Sequence, residues 1–368
     1  MSASIQVEKK LFGLLSDGTQ ANLYKVSNGH MSFTATDYGC TLTGIFLPHT
    51  VFGDASDDIL LGFSTLDGIV HRNQPYFGVL VGRYANRIKN ARFTLNGTIY
   101  NTDRNENGNT LHSGFRGYNT FVWNSEIVET ESAKGVKFSR LSPDGEQGFP
   151  GNLSVEALYL LNDANEITLH YTAKTDAPTP VNLTNHAYFN LSGSCGVLGE
   201  SGTQNLHTHT MHIPGTKRLE VDELLLPTGK IVPVAGSAYD FTAPKPLAKH
   251  FDTPELAATG GGYDTCYCFG KEDNAFDSEN ALRTMATVSE SSTGRTMTCR
   301  SNQDCLQLYT ASYLNAVQGK NLRVYNKFSG FCLETQGYLD AVNVPSFPSS
   351  IINADETYES KTVYAFTF

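Results

Sequence analysis

The sequence is poor in charged residues, which make up 17% of its 368 residues and sum to a net charge of −10. It also lacks any long run of Lys and Arg that would form a basic stripe. Nucleic acids and anionic membranes carry the same sign of charge as such a chain. We therefore expect neither as a partner, and a neutral small molecule fits this charge better than a polyanion does.

Long apolar runs are missing too. No stretch approaches the roughly 18 consecutive apolar residues of a membrane span, and residues 1–10 lack the apolar segment of a secretory signal peptide. These features predict a cytoplasmic protein with reduced, mostly buried thiols. The seven cysteines are odd in number and show no paired Cys-x-x-Cys spacing: Cys40, Cys195, Cys266, Cys268, Cys299, Cys305 and Cys332.

Strand and turn signals occupy most of the chain. Its 33 glycines and 18 tyrosines favour strands joined by tight turns. Residues 91–95 and 98–100 alternate in polarity on either side of Asn96 and Gly97, a pair that tolerates positive φ and predicts a hairpin. A second pair of strands is predicted around residues 163–165. The strands predicted there and elsewhere are 59–63, 155–160, 166–173, 295–300, 306–310 and 362–368.

Helical patterns are few and short, at residues 244–250 and 254–259. We find no repeat and no linker, so the sequence predicts an all-β fold, a single large antiparallel β-sandwich with few short helices, and one domain over residues 1–368. Two long irregular stretches, 101–120 and 193–207, are of the kind that usually carries function. The first is rich in polar groups and includes His112.

Two short motifs contain basic residues beside glycine. In Gly82-Arg-Tyr-Ala-Asn-Arg-Ile88, Arg83 and Arg87 are four residues apart, and by themselves they are most simply interpreted as arginines in solvent. In Asn109-Thr-Leu-His-Ser-Gly114, His112 sits in a polar, glycine-flanked loop where it is accessible to a ligand. An isolated histidine of this kind is still more often structural than catalytic.

Two further positions have the chemistry of an acid and a base. Asn182, Thr184 and His186 share one face of a predicted strand, because side chains alternate between its two faces. Two interpretations are about equally favoured: a hydrated polar surface, or a buried histidine whose hydrogen bonds are satisfied. Glu334 follows Leu333, and a carboxylate among apolar neighbours is either exposed or buried with a shifted pKa that suits a general base. From the residues alone, exposure is the simpler interpretation.

The histidines at 207, 209 and 212 alternate like ligands on a strand. No carboxylate or cysteine motif completes the set, so we interpret them as structural rather than as a metal site. No metal is predicted anywhere in the chain.

Taken together and in order, these motifs resemble the aldose 1-epimerase (galactose mutarotase) family. The resemblance extends from about Tyr38 to the C-terminus, and its most specific segments are Asn185-His-Ala-Tyr-Phe-Asn-Leu191 and Cys332-Leu-Glu-Thr-Gln336. The other matching segments are Gly82–Ile88, Thr110–His112, Ser142–Gly151, Leu226–Gly229, Tyr239–Phe241, Gly262–Asp264, Leu306–Thr310, Ser329–Phe331 and Thr362–Tyr364.

The resemblance implies a β-sandwich of the galactose mutarotase type with a broad sugar-binding cleft, and interconversion of the α and β anomers of free aldohexoses such as galactose and glucose. It implies Glu334 as general base and His186 as general acid, with no cofactor. The partner is then a monosaccharide, and the enzyme is a monomer or homodimer. The residues that resemble the family's hydroxyl-binding groups are Asn86, Arg87, His112, Asp264 and Gln307.

The chain departs from the family pattern at Ser113, Thr265, Ala311 and Phe328, and we expect such changes to affect the cleft wall and hence substrate preference. Tyr76, Phe77 and Trp123 offer apolar surface for a sugar, although core packing is the simpler interpretation. Two alternatives stay open: an epimerase for phosphorylated or otherwise modified sugars, which needs a cationic pocket, and a non-catalytic sugar-binding protein.

Overall fold

The structure is a computed structural model that describes residues 5–48, 56–193, 206–270 and 281–368. Its strands, in chain order, are β1 (Gln6–Leu14), β2 (Gln20–Ser27), β3 (Ser32–Thr36), β4 (Thr41–Pro48), β5 (Ser56–Asp58), β6 (Leu80–Val81), β7 (Arg87–Ile88), β8 (Arg92–Leu95), β9 (Thr98–Asn101), β10 (Thr110–Leu111), β11 (Asn124–Glu129), β12 (Ala133–Ser142), β13 (Leu153–Asn162), β14 (Glu166–Thr175), β15 (Thr179–Pro180), β16 (Thr184–Asn185), β17 (His209–His212), β18 (Lys217–Val221), β19 (Pro227–Pro233), β20 (Lys245–Pro246), β21 (Asp264–Cys268), β22 (Arg283–Glu290), β23 (Thr296–Ser301), β24 (Cys305–Tyr309), β25 (Val317–Gln318), β26 (Val324–Tyr325), β27 (Cys332–Gln336), β28 (Ile351–Ile352) and β29 (Thr357–Thr367).

The largest sheet has nine strands in the order β11-β12-β13-β14-β29-β23-β22-β17-β20, and every neighbouring pair is antiparallel. Along β13, buried side chains alternate with more exposed ones, as expected for a strand with one face on a core. Val155, Ala157 and Tyr159 belong to the buried face.

Two further sheets have five strands each, one in the order β1-β2-β3-β4-β5 and the other in the order β19-β18-β21-β24-β27. The remaining strands of the described residues form two-stranded pairs, namely β10-β7, β15-β28, β16-β6, β25-β26 and β8-β9. Side chains from the three large sheets meet in one apolar cluster, for example Phe33, Tyr159 and Leu333, each with no exposed surface. The predicted antiparallel β-sandwich is therefore confirmed.

The predicted hairpins are confirmed as well. Strands β8 and β9 pair in register around Asn96 and Gly97, whose φ angles are 50° and 80°, and β13 pairs with β14 around residues 163–165. The predicted strand at 59–63 is wrong, because Leu60 there makes only an isolated bridge to Phe189. The remaining strand predictions match β23, β24 and β29 to within a few residues at each end.

The two predicted helices are 3-10 helices of four and six residues, Leu247–His250 and Pro254–Thr259. The one α-helix among the described residues, α1 (Leu66–Arg72), was not predicted; it begins where the Thr65 hydroxyl accepts the Gly68 N–H. The 3-10 turns are Lys89–Ala91, Tyr118–Thr120, Glu146–Gly148, Leu206–Thr208, Leu247–His250, Pro254–Thr259 and Lys320–Leu322.

The six cysteines in the described ranges are buried free thiols, as predicted. Cys195 and most of the loop at 193–207 lie outside the described residues. Among the helices of the described segments, none has the length and apolar character needed to cross a membrane.

Candidate active site

A cleft of about 520 Å³ opens on the sheet formed by β19, β18, β21, β24 and β27. This volume lies within the range of small-molecule sites. All seven residues singled out by the resemblance line it: Asn86, Arg87, His112, His186, Asp264, Gln307 and Glu334.

The period of two along β24 and β27 explains why polar groups collect there. Leu308 and Leu333 point into the apolar core, so Gln307 and Glu334, one residue away, point to the opposite face. Glu334 and Gln307 are direct cross-strand partners. From the neighbouring β21, Asp264 accepts a 2.5 Å hydrogen bond from the Gln307 amide, which fixes both side chains at the floor of the cleft.

Glu334 is only 2% exposed, so the interpretation of an exposed carboxylate is wrong. Its Oε2 has no hydrogen-bond partner among the described residues. Burial raises the pKa of Glu334 well above its usual value, the nearby Asp264 raises it further, and Arg87 opposes them. A desolvated carboxylate with a free oxygen facing a cleft is suited to take a proton from a bound ligand.

His186 follows the short strand β16, which pairs with β6. Hydrogen bonds hold both backbone polar groups of His186: its backbone N–H donates to Val79 O at 3.0 Å, and its carbonyl accepts from the Gly78 N–H at 2.9 Å. The close approach at Gly78 requires glycine, because φ is +70° and a Cβ would lie 2.1 Å from Leu42 O. This rigid crossing sets the position of the imidazole.

The imidazole of His186 points its Nε2 at Glu334, with 3.7 Å between Nε2 and Oε2. Its Nδ1 lies 3.5 Å from Cys332 Sγ. The ring is stacked on Tyr188, with centroids 5.1 Å apart and planes 19° from parallel. Burial lowers the pKa of His186 to about 4.

Burial therefore disfavours charge on both members of the Glu334–His186 pair. The carboxyl keeps its proton to higher pH than usual and the imidazole loses its proton at lower pH than usual. Between these two limits the pair as a unit holds one dissociable proton. A pair with one proton can accept a proton at one atom while it gives one up at another.

His112 lies beside His186, with 5.4 Å between the ring centroids, and is in reciprocal contact with Asn86. The backbone N–H of His112 donates to Asn86 O at 3.0 Å, and the backbone N–H of Asn86 donates to the ring nitrogen Nδ1 of His112 at 3.2 Å. Since Nδ1 accepts, the neutral ring carries its proton on Nε2. Burial, with His186 and Arg87 nearby, holds the pKa of His112 well below its usual value, so this N–H is a neutral hydrogen-bond donor.

Arg87 is 8% exposed and is held by a carboxylate that sequence analysis did not identify. Glu106 accepts two hydrogen bonds from it, at 3.1 Å from Nε and 2.8 Å from Nη2. This bidentate pair orients the guanidinium and leaves its third nitrogen, Nη1, without a contact to Glu106. Burial opposes the charge of Arg87, but the hydrogen bond to Glu106 and the nearby charge of Asp264 raise its pKa.

The chain matches the family model for aldose 1-epimerase over residues 22–365. The chain belongs to the aldose 1-epimerase family. It is 37% identical to the galactose mutarotase of Rattus norvegicus over 99% of both chains, and 31% identical to the aldose 1-epimerase of Escherichia coli over 96% of this chain and 97% of that protein.

Solved structures agree on the fold. The galactose 1-epimerase of Lactobacillus acidophilus superposes with a TM-score of 0.81 at 21% identity, over 99% of both chains. A GalM/aldose epimerase homologue from C. elegans superposes with a TM-score of 0.76 at 25% identity, over 92% of this chain and 95% of that one. The protein is accordingly an isomerase that interconverts the anomers of an aldose, with the β-sandwich of galactose mutarotases.

In this epimerase the interpretation of Arg83 and Arg87 as solvent-exposed is wrong. Arg83 is 2% exposed, and its Nη1 donates to Pro150 O at 2.7 Å and to Gly151 O at 3.0 Å. It therefore connects the loop of residues 142–151 to the segment that carries Asn86 and Arg87 of the cleft wall. Tyr76 lines the cleft with its ring centroid 4.8 Å from that of His112, so core packing is the wrong interpretation for it. For Phe77 and Trp123, both 2% exposed, core packing is confirmed.

The four departures from the family pattern are absent from the cleft lining in the part of the chain that the structure describes. The Ser113 hydroxyl bonds the backbone N–H and carbonyl of Tyr84, at 2.6 Å and 3.1 Å. The Phe328 ring stacks on Phe251 with 3.9 Å between centroids. Neither contact is made to a residue that lines the cleft, so these two departures do not change the cleft wall directly.

Two of the three histidines on and beside β17 have structural partners. Nε2 of His209 accepts the Leu191 N–H at 3.0 Å, and the His207 ring packs edge-on against Phe251. The one cluster of potential metal ligands in the described ranges is His186, Cys332 and Glu334, of which His186 and Glu334 line the cleft.

Proposed function

We propose that Glu334 and His186 are the general base and general acid with which this epimerase opens and recloses the ring of a free aldohexose such as galactose or glucose. The observation that carries the proposal is the buried pair itself, with 3.7 Å between Nε2 and Oε2 at the floor of a cleft. The name of the rat relative, galactose mutarotase, supports galactose as a substrate.

The chemistry follows from two proton transfers. In the reactive form of the pair its one proton is on His186 and Glu334 is ionised. Glu334 then takes the proton of the anomeric hydroxyl while His186 gives its Nε2 proton to the ring oxygen, and the C1–O5 bond breaks. The aldehyde rotates about the C1–C2 bond. Reclosure on the other face reverses both transfers, so the pair again holds one proton. Because proton transfer completes the reaction, the proposal needs no metal or organic cofactor.

The five other cleft residues singled out by the resemblance are proposed to hold the sugar hydroxyls. His112 donates from Nε2, Arg87 donates from the nitrogen that Glu106 leaves open, and Asp264 accepts. Asn86 and Gln307 each offer an amide. Directed polar groups of both kinds fit a ligand whose hydroxyls both donate and accept.

The charge of the cleft argues against the phosphorylated-sugar alternative. Four carboxyl groups line it, those of Glu106, Glu223, Asp264 and Glu334, against the single guanidinium of Arg87. A phosphate dianion gains most from clustered arginines, and here it meets carboxylates instead. A neutral aldose avoids this repulsion.

We also propose that residues 1–368 form one epimerase domain, because the family match covers residues 22–365 and one apolar cluster joins all three sheets. A monomer or homodimer and a cytoplasmic location remain predictions from the sequence.

Polarimetry of freshly dissolved α-D-galactose and α-D-glucose tests the proposal. Glu334→Gln keeps the size of the side chain, His186→Asn keeps a polar group next to Cβ, and both remove the proton transfer, so each should lower kcat at least about a hundredfold. Glu290→Gln is the matched control. Its carboxylate is 1% exposed and binds Ser292 and Thr293 outside the cleft, so kcat should not change. Wild-type rates in either cleft variant would refute the assignment.

A further inference from the structure

Beside His186 lies a buried residue with no assigned role. Cys332 precedes Glu334 by two positions on β27, so both side chains leave the same face of the strand. The thiol has no exposed surface, and Sγ lies 3.5 Å from His186 Nδ1, within hydrogen-bonding distance for sulfur. The imidazole therefore faces two neighbouring side chains, Cys332 at Nδ1 and Glu334 at Nε2, and the sulfur and a carboxylate oxygen of these two lie within 4.8 Å of each other.

The aromatic neighbours of His186 hold the plane of its ring but not its rotation. Tyr188 stacks within 19° of parallel and Tyr76 within 24°. A half-turn of the imidazole about its Cβ–Cγ bond stays in that plane, yet it exchanges Nδ1 with Cδ2 and Nε2 with Cε1. After such a flip a carbon faces Glu334 and no proton can be relayed. Of the contacts at Nδ1, the one to Cys332 distinguishes the two orientations.

The partner of Nδ1 must suit the proton that this nitrogen carries. The imidazolium of His186 has an N–H at Nδ1 and at Nε2, and once it gives the Nε2 proton to the ring oxygen the neutral ring keeps its proton on Nδ1. Nδ1–H therefore needs an acceptor in both protonation states, and the Cys332 sulfur, 3.5 Å away, is a weak acceptor. Burial raises the pKa of this thiol well above its usual value, so the sulfur stays a neutral thiol and does not take the proton from the imidazolium.

We propose that Cys332 is a positioning residue that holds Nδ1 of His186 in both protonation states and so keeps Nε2 directed at the reacting proton. This inference rests on the proposed role of His186 as general acid. It assigns no covalent or redox chemistry to the thiol.

Three variants test the inference. Cys332→Ala removes the partner of Nδ1, and since one such hydrogen bond is modest, kcat should fall about three- to tenfold with KM nearly unchanged. Cys332→Ser restores a group that both donates and accepts, so kcat should recover to within about twofold. Cys299→Ala controls for loss of a buried sulfur, because Cys299 has no exposed surface and lies outside the cleft lining. Its kcat should match wild type.

The ring of His186 gives an independent readout. In ¹⁵N spectra the two ring nitrogens of wild type and of Cys332→Ser should report one tautomer, and Cys332→Ala should report a mixture. A wild-type kcat in Cys332→Ala, or equal losses in Cys332→Ala and Cys299→Ala, would overturn the positioning role. Failure of the parent proposal is distinct: His186→Asn would then retain activity, whatever the cysteine variants do.

Discussion

The Arg87–Glu106 pair yields the sharpest prediction about substrate binding. Glu106 is not expected to touch the reacting atoms, but it fixes the guanidinium through two hydrogen bonds of 2.8 Å and 3.1 Å. Glu106→Gln keeps the shape of the side chain and removes its charge. Without this ion pair, we expect the charge of Asp264, which also acts on Arg87, to draw the guanidinium away from its present position.

The magnitude follows from the contact that is lost. A hydrogen bond to a charged group contributes about 1.5–3 kcal/mol. The Arg87 and Glu106 side chains are 10% and 23% exposed, so solvent screens the charge of Arg87 and places its hydrogen bonds at the lower end of this range. If Arg87 loses one such contact to a sugar hydroxyl, binding weakens by about 1.5 kcal/mol, or roughly tenfold. KM should therefore rise about tenfold, and kcat should change less than threefold.

A matched control is available in the same protein. Arg140 and Glu146 form a bidentate pair with two 2.8 Å contacts and exposures of 11% and 13%, and neither residue lines the cleft. Glu146→Gln should lower stability and leave KM unchanged. Initial-rate polarimetry over a range of α-D-galactose concentrations measures both variants. An unchanged KM in Glu106→Gln, or an equal rise of KM in Glu146→Gln, would contradict the proposed role of Glu106 in orienting Arg87.

Three further predictions concern pH, substrate charge and backbone packing. The Glu334–His186 pair needs one proton, so kcat should fall on both sides of the pH range in which the pair holds one. Below about pH 4 the pair gains a second proton at His186, and above the raised pKa of Glu334 it loses its last proton. A pH–rate profile that rises below pH 4 contradicts this prediction. Glucose 6-phosphate should show a kcat/KM at least about tenfold below that of glucose, since four carboxyl groups line the cleft, and equal values in parallel coupled assays would argue for the phosphorylated-sugar alternative. Gly78→Ala should lower the free energy of unfolding by about 3 kcal/mol, because its Cβ would lie 2.1 Å from Leu42 O; a denaturant midpoint equal to wild type would show that the crossing tolerates a side chain.

Local sequence patterns accounted for the fold but not for the site. Alternation and the Asn96-Gly97 turn predicted hairpins that the structure contains, because strand polarity and positive φ are local properties. Helix α1 was missed although its Thr65 cap is also local, since seven residues give too short an apolar period to recognise.

The residues of the cleft were identified through family resemblance rather than from their own patterns. Taken singly, Arg87 and Glu334 favoured exposed interpretations, and both are buried because their surroundings come from distant segments. Glu106 is 19 residues from Arg87, and Cys332 is 146 residues from His186. Such contacts have no periodic signal in a single sequence, so Glu106 and the proposed role of Cys332 became visible only with the fold, and the fold decided between the two interpretations of Tyr76.

The assignment of Glu334 as base and His186 as acid requires each side chain to transfer a proton during anomer exchange. Exchange NMR at equilibrium tests this most directly, through the rate at which the H1 signals of α- and β-galactose interconvert with enzyme present. We expect rapid exchange with wild type and with Glu290→Gln, and exchange near the buffer rate with Glu334→Gln and with His186→Asn. Rapid exchange in either of the last two variants would contradict the assignment.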